Sequence, residues 1–298
     1  MSRSTVSVEE TPAAAAPAEE YEEPKPRHRF LFSGWHLVLI PIALVMILPL
    51  LWMVVTSLET LNETRTFPPV LFPHSAQVGN YSEVLRQVPF ARWFTNTLIV
   101  TSLSVIGNLV FCSLAGYAFA RIKFFGRDVI FLIVLATLMI PFQVVIIPTF
   151  LIVKDLGLID TLGALVVPNL AGAFGIFMLR QFFKTLPVEL EEAARIDGAS
   201  RLGVLVKIVL PLSGPALATL AVITFMWTWN DFLWPLVVIF SPQNYTLQLG
   251  LATFQGAHAS NTNLLMAANV MSLVPVLVLF FVAQRYFIRG IATTGLKG

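Results

Sequence analysis

Six stretches of this chain are nearly free of charge, and each has the roughly 20 residues that a helix needs to cross a bilayer. They cover 35–58, 95–120, 129–153, 161–179, 215–239 and 264–284, and Asp231 in the fifth is the sole Asp, Glu, Lys or Arg among them. In lipid only helices and closed barrels satisfy their own backbone groups, and the alternation of a barrel strand is absent. The expected fold class is therefore an all-α membrane protein with six transmembrane helices. Composition agrees: 56% of residues are hydrophobic and 12% charged, against about 45–50% and about 25% for a soluble domain.

Charge placement orients the spans. When loops are assigned to alternate sides, one side holds only Arg65, Arg86, Arg92 and Lys154, and the rest of the 19 Lys and Arg fall on the other. The positive-inside rule then puts both termini in the cytoplasm. Residues 1–29 read as a disordered cytoplasmic tail, with an Ala/Pro run, an acid cluster and a basic end that bury no core. Residues 30–91 hold the first transmembrane helix and an external loop that either meets an external partner or returns the chain. A core follows over 92–286, with a cytoplasmic loop at 187–211, and residues 287–298 form a cytoplasmic tail. Prolines interrupt five spans: Pro41 and Pro49, Pro141 and Pro148, Pro168, Pro235, and Pro275. Kinks at membrane depth survive where neighbouring helices or a water-filled cavity satisfy the freed carbonyls, which points to a transporter or channel. Gly107, Gly116, Gly172 and Gly175 allow close helix approach. The single cysteine, Cys112, excludes an intrachain disulfide and reads as a small residue within a span.

The loop at 187–211, PVELEEAARIDGASRLGVLVKIVLP, is charged where its surroundings are apolar. Pro187 suits the first position of a helix, and Glu189, Glu191 and Glu192 complement the positive end of its dipole. Asp197-Gly198 reads as a stop and turn, and Ser200 as the cap of a second helix carrying Val204, Leu205, Ile208 and Val209 at helical spacing. Two short helices around a glycine turn are too polar for lipid and too patterned for a linker. No GxxxxGK[ST] phosphate loop occurs, and the four histidines show no ligand spacing.

Glu192-Ala193-Ala194, Gly198, Ile208 and Leu210-Pro211 stand at the spacing of the EAA loop, and so this chain resembles the permease subunits of binding-protein-dependent ABC importers. The resemblance extends to Gly116-Tyr117-Ala118-Phe119-Ala120-Arg121, to Trp229-Asn230-Asp231-Phe232-Leu233-Trp234-Pro235 and to the Gly295-Leu296-Lys297-Gly298 end, which are similar to the carbohydrate-type branch. It implies an ABC importer type I permease fold without catalytic residues or a cofactor of its own, ATP being bound by partner subunits. The implied partners are a homologous second permease, two ATPase subunits, an external substrate-binding protein and the lipid bilayer, with no nucleic acid. The resemblance further implies that Glu192, Ala193, Ala194, Gly198, Ile208, Leu210 and Pro211 couple to an ATPase cleft, and that residues 293–298 extend toward the same interface.

Asp231 is costly in a span and either lines a cavity or gate, or pairs structurally near an interface. Asn230, Trp229, Gln143 and Asn169 are further candidates for the substrate path. Trp227, Phe232 and Trp234 join Trp229 as a stacking wall for a sugar ring or as an aromatic belt. The reading is a sugar or oligosaccharide importer subunit. Its rivals are the same importer class with a peptide, polyamine or anion cargo, and an ion-coupled secondary transporter using Asp231, which leaves the EAA spacing unexplained.

Overall fold

The computed structural model describes residues 34–257 and 261–294, with side chains for 34–256 and 261–284. The tail at 1–29 and the chain end from residue 295 lie outside the described residues. The chain divides into two units, Met1–Ile47 and Leu48–Gly298. Helix α1 (His36–Ser57) crosses the division and is continuous through Pro41 and Pro49. Its side chains from Leu37 to Leu51 are all exposed and, Pro41 and Pro49 included, apolar. Such a surface is stable only in lipid or against another apolar face.

The second unit continues with α2 (Gly79–Gln87), α3 (Phe90–Arg121), α4 (Arg127–Thr137), α5 (Phe142–Asp155), α6 (Leu162–Val166) and α7 (Ala173–Thr185). After α8 (Val188–Ile196), α9 (Arg201–Val204) runs through a π turn at Leu205–Val209 into α10 (Leu210–Leu212). Helices α11 (Gly214–Trp229), α12 (Leu233–Val238), α13 (Leu247–Ala257) and α14 (Thr262–Thr294) complete the chain, and no strand occurs among the described residues. Four helical stretches are long and apolar enough to cross a bilayer, and two bent pairs raise the count to six if each pair is one span.

The third and fifth apolar stretches are not single rods. α4 and α5 meet at 105°, because Pro141 lacks an amide proton and holds the residue before it out of helical geometry. Pro141 is itself the extended cap of α5. The fifth stretch breaks at Asn230–Phe232, between α11 and α12, and α11 in turn meets the Arg201–Leu212 rod at 82°. The fourth stretch changes to a 3-10 turn at Val167–Asn169, around Pro168. Helix α14 is continuous through Pro275. At the fourth stretch Pro168 leaves Ala164 O without its helical donor, and Trp234 Nε1 takes that place (2.9 Å). Side chains also bond the carbonyls around the break: Asn108 Nδ2 donates to Asn169 O (2.5 Å), Asn169 Nδ2 to Leu165 O (2.9 Å) and Cys112 Sγ to Gly172 O (3.5 Å).

Helix α3 organises the unit. Its 32 residues span about 48 Å at 1.5 Å per residue, and it packs against α6, α7, α11 and α13. Gly116 brings it within reach of α7: an added Cβ would lie 3.1 Å from Arg180 N and 3.2 Å from Leu179 Cβ. At Gly175 an added Cβ would lie 2.8 Å from Cys112 Sγ and 3.0 Å from Leu220 Cδ1, so three helices meet there.

The first turns of α3 bind one end of the molecule together. Arg92 Nε and Asn96 Nδ2 donate to Gln243 O (both 2.9 Å), and Leu247 N donates to Thr97 Oγ1 (2.7 Å). At this end Phe90, Trp93 and Trp229 pack with Leu247, Phe254 and Leu264 in one apolar cluster. The loop after α5 is tied to the same end by Asp160, whose carboxylate accepts from the amides of Phe240 (3.0 Å) and Ser241 (2.9 Å) and from the Ser241 hydroxyl. These bonds hold the Asp160 carboxyl below its ordinary value, the Ser241 hydroxyl contributing most. Asn80 Nδ2 donates to Ser57 O and Glu59 O (both 2.9 Å) and so joins α2 to the segment after α1. In the loop between them the Thr60 amide, and after it His74, draw the Glu63 carboxyl down to about 2.

Candidate functional site

The opposite end of α3 meets the charged loop. Helix α8 begins at Val188 with Pro187 as its cap, one residue later than expected. It ends in a Schellman turn: Ala199 N donates to Ala194 O (2.9 Å), Gly198 N donates to Arg195 O (3.1 Å), and Gly198 takes φ +86°. This geometry accounts for part of the motif's spacing. A helix closed in this way puts its left-handed residue four positions after the carbonyl that accepts the bond of larger sequence separation, which places glycine at 198 when that carbonyl is Ala194 O. Ala194 and Ala199 then pack on the same apolar cluster as Leu179, Phe183, Val204 and Val209. Ser200 caps the following helix, accepting from Gly203 N (3.1 Å).

Burial separates the motif residues. Glu192, Ala193, Gly198 and Pro211 are exposed, and Ala194, Ile208 and Leu210 are half-buried. Beside the exposed set Ile196 is 87% exposed and Leu202 60%, so the module presents apolar side chains among the exposed charges of Glu189, Glu192, Arg195, Asp197 and Arg201. The π turn places Ile208 between the module and α10, a helix form that recurs at functional positions.

Glu191, read from the sequence as a dipole partner, is instead the anchor. It is 3% exposed, and its carboxylate accepts from Arg121 Nε (2.6 Å) and the Tyr117 hydroxyl (3.1 Å). Arg121 Nη2 also donates to Leu186 O (2.7 Å), just ahead of α8. Tyr117 and Arg121 lie four residues apart and thus on one face of α3. The acid next to the motif is buried against the core, and the motif's own acid faces outward.

The second candidate region is a cavity of about 620 Å³ lined by Phe142, Thr149, Pro168, Asn169, Trp227, Thr228, Asp231 and Trp234, with Val145. It lies where the third, fourth and fifth stretches break. The structure brings Asn169 and Asp231 together here. Asp231 also accepts from Trp234 N through Oδ1 (3.3 Å), so it caps α12 while lining the cavity. Trp227 and Trp234 supply the aromatic wall: Phe174 meets Trp227 edge-on at 5.7 Å and Phe142 meets Trp234 at 5.9 Å. The other three candidates lie elsewhere. Trp229 is buried in the cluster at the far end of α3 and donates to Ser272 O (3.2 Å). Asn230 is exposed and donates to Met226 O (2.8 Å), and Gln143 is exposed outside the cavity lining. A narrower cavity of about 160 Å³ shares Pro168, Asn169, Trp227 and Thr228 and reaches Asn108 and Gly175.

Similarity to known proteins bears on both regions. The model for the binding-protein-dependent transport system inner membrane component matches residues 112–293. The arabinooligosaccharides transport system permease protein AraQ of Halalkalibacterium halodurans is 38% identical over 260 residues, 86% of this chain and 93% of that protein. The sulfoquinovosyl glycerol transport system permease protein SmoH of Agrobacterium fabrum is 32% identical, covering 90% of this chain and 95% of that protein. Among solved structures, a chain of a bacterial ABC transporter involved in import of the acidic polysaccharide alginate superposes with TM-score 0.76 at 28% identity, covering 86% of this chain and 99% of that one. With the permease fold shared over nearly the whole length of these proteins, the chain belongs to the family of binding-protein-dependent transport system inner membrane components.

Proposed function

We propose that this chain is the membrane-spanning permease subunit of an ATP-driven importer for a sugar or oligosaccharide. In this reading it has six spans with both termini cytoplasmic, the two bent pairs counting as one span each. A homologous permease, two ATPase subunits that bind the ATP, and an external substrate-binding protein complete the assembly.

The observation that carries the reading is the α8–α9 module. It exposes Glu192, Ala193 and Ile196 while Glu191 locks its other face to α3. A partner's push on the exposed face is thereby delivered to a helix about 48 Å long whose far turns hold the opposite end together. The cargo class follows from the cavity, where two indoles and Phe142 stand beside Asn169, Thr149, Thr228 and Asp231. Aromatic faces with a few hydrogen-bonding groups suit sugar rings. The one ionisable lining residue is the acid Asp231, which can accept hydrogen bonds from sugar hydroxyls. SmoH and AraQ are named for cargo that carries sugar units.

The test uses the assembled importer. Gly198→Val forces a β-branched residue to φ +86°, at a backbone cost of about 1–2 kcal/mol or more. Nothing lies within 4 Å of its Cβ, so the cost is conformational and not steric. Gly198→Val and Glu192→Lys are expected to cut uptake and substrate-stimulated ATP hydrolysis by tenfold or more, with normal membrane levels; Gly198→Asn, which tolerates the left-handed region, retains more. Full transport by both of the first two variants removes the coupling role. A cysteine at Ser200 should react with an impermeant thiol reagent only from the cytoplasmic side, and labelling from outside overturns the orientation.

A further inference from the structure

The turn between α3 and α4 carries a feature that the importer reading does not use. Phe124 folds back on Phe119, with ring centroids 5.9 Å apart, whereas Phe125 beside it is fully exposed at 103%. Gly126, at φ +75°, redirects the chain into α4. Lys123, Phe124, Gly126, Arg127, Asp128 and Val129 line an open cavity of about 360 Å³.

The electrostatics of this turn are lopsided. Asp128 accepts from Arg127 Nε (3.1 Å) and Nη2 (3.3 Å), and Arg180 Nη2 lies 3.6 Å from the same carboxylate. Lys184 is close enough to act on that carboxylate electrostatically. Lys123 has no ion-pair or hydrogen-bond partner among the described residues. Three cations therefore act on one acid, and Lys123 adds a further positive charge to the lining of the same cavity. The surface continues beyond the turn into the exposed apolar side chains Val129, Ile130, Leu132 and Ile133 of α4.

A fully exposed phenylalanine between a free lysine and an apolar helix face fits the boundary of a bilayer, where the ring enters the acyl region and cations stay at headgroup depth. We propose that the α3–α4 turn is a binding site for an anionic phospholipid. Lys123 and Arg127 donate to the phosphate in the cavity, and Phe125 lies among the acyl chains beside α4. The excess of cations selects an anionic lipid over a zwitterionic one. This inference rests on the membrane-embedded fold and not on the coupling role of α8, so its failure leaves that role standing.

The purified full chain, in nanodiscs of phosphatidylcholine with phosphatidylglycerol, would be released and examined by native mass spectrometry. Wild type should retain phosphatidylglycerol in preference to phosphatidylcholine. Lys123→Gln should lower that retention about fivefold, since one cation near the surface is worth about that factor, and Lys123→Arg should preserve it. Phe125→Ser should lower retention of both lipids. Both side chains are exposed, so thermal unfolding should be unchanged, and an unfolded variant would show itself there while the Lys123→Arg comparison still decides. Equal retention of the two lipids by wild type, or equal retention by wild type and Lys123→Gln, overturns the site. Displacement of phosphatidylglycerol by millimolar inorganic phosphate would make it a free-phosphate site and overturn the lipid assignment.

Discussion

Arg121→Met is expected to lower the stability of the protein by about 3–5 kcal/mol, because it leaves the Glu191 carboxylate buried without its cation. The pair is short, at 2.6 Å, and its members are only 13% and 3% exposed, so solvent cannot take the arginine's place. The same principle separates two explanations of the loss. Removing the whole polar set with Arg121→Met, Glu191→Met and Tyr117→Phe together leaves no stranded charge, and most of the stability should return. The remaining deficit is the donor lost to Leu186 O, about 1 kcal/mol. Thermal unfolding of the protein in nanodiscs measures each step. A melting temperature unchanged in Arg121→Met would show that the pair does not hold α8, and a triple variant as unstable as the single one would show that packing, not the unpaired charge, dominates.

Transport adds a second readout. An apolar contact lets α8 slide on α3, whereas an arginine fork shared between Glu191 and Leu186 fixes one register. Under the coupling reading the triple variant should therefore recover its melting temperature while uptake by the assembled importer stays low. Full uptake would show that apolar contact alone transmits the movement.

The contrast between Glu191 and Glu192 shows how far the sequence reaches. The helical spacing of the loop, its glycine turn and the Ser200 cap are local and were readable, since each is settled within a few residues. The burial of Glu191 was not. Its partner is 70 residues away in the chain, and three acids in one helical turn give no sign of which one faces inward. The motif ending in Arg121 held the signal, because Tyr117 and Arg121 at i and i+4 after an apolar span require a partner if that face is covered. The breaks were legible only in part. Proline marks where an amide is missing, but Pro41, Pro49 and Pro275 sit in continuous helices. At Pro168 the freed carbonyl of Ala164 finds Trp234 Nε1, 70 residues away in the chain, and that is a tertiary fact.

The tryptophans of the fifth stretch give the second large effect, and they divide by face. Trp227 and Trp229 are two residues apart on a helix, about 200° around its axis, and so point to opposite sides. No pattern in α11 tells which side is inner, because the helix is apolar all round. Trp229 is 1% exposed, stacks on Phe225 at 5.3 Å, meets Phe94 edge-on at 5.5 Å and donates to Ser272 O. Trp229→Ala should cost about 3–5 kcal/mol and lower the melting temperature whatever the substrate. Trp227 is 63% exposed and lines the large cavity. Trp227→Ala should change stability by about 0.5 kcal/mol or less, yet raise the substrate concentration for half-maximal uptake severalfold, because a ring face is lost from the path and not from the core. Asp231→Asn should leave the cap on Trp234 in place, since the amide oxygen still accepts, so any change in uptake it causes belongs to charge in the cavity. If Trp227→Ala unfolds the protein, or Trp229→Ala changes uptake without changing stability, the path runs on the other side of α11 and the cavity at Asn169 and Asp231 is not its wall.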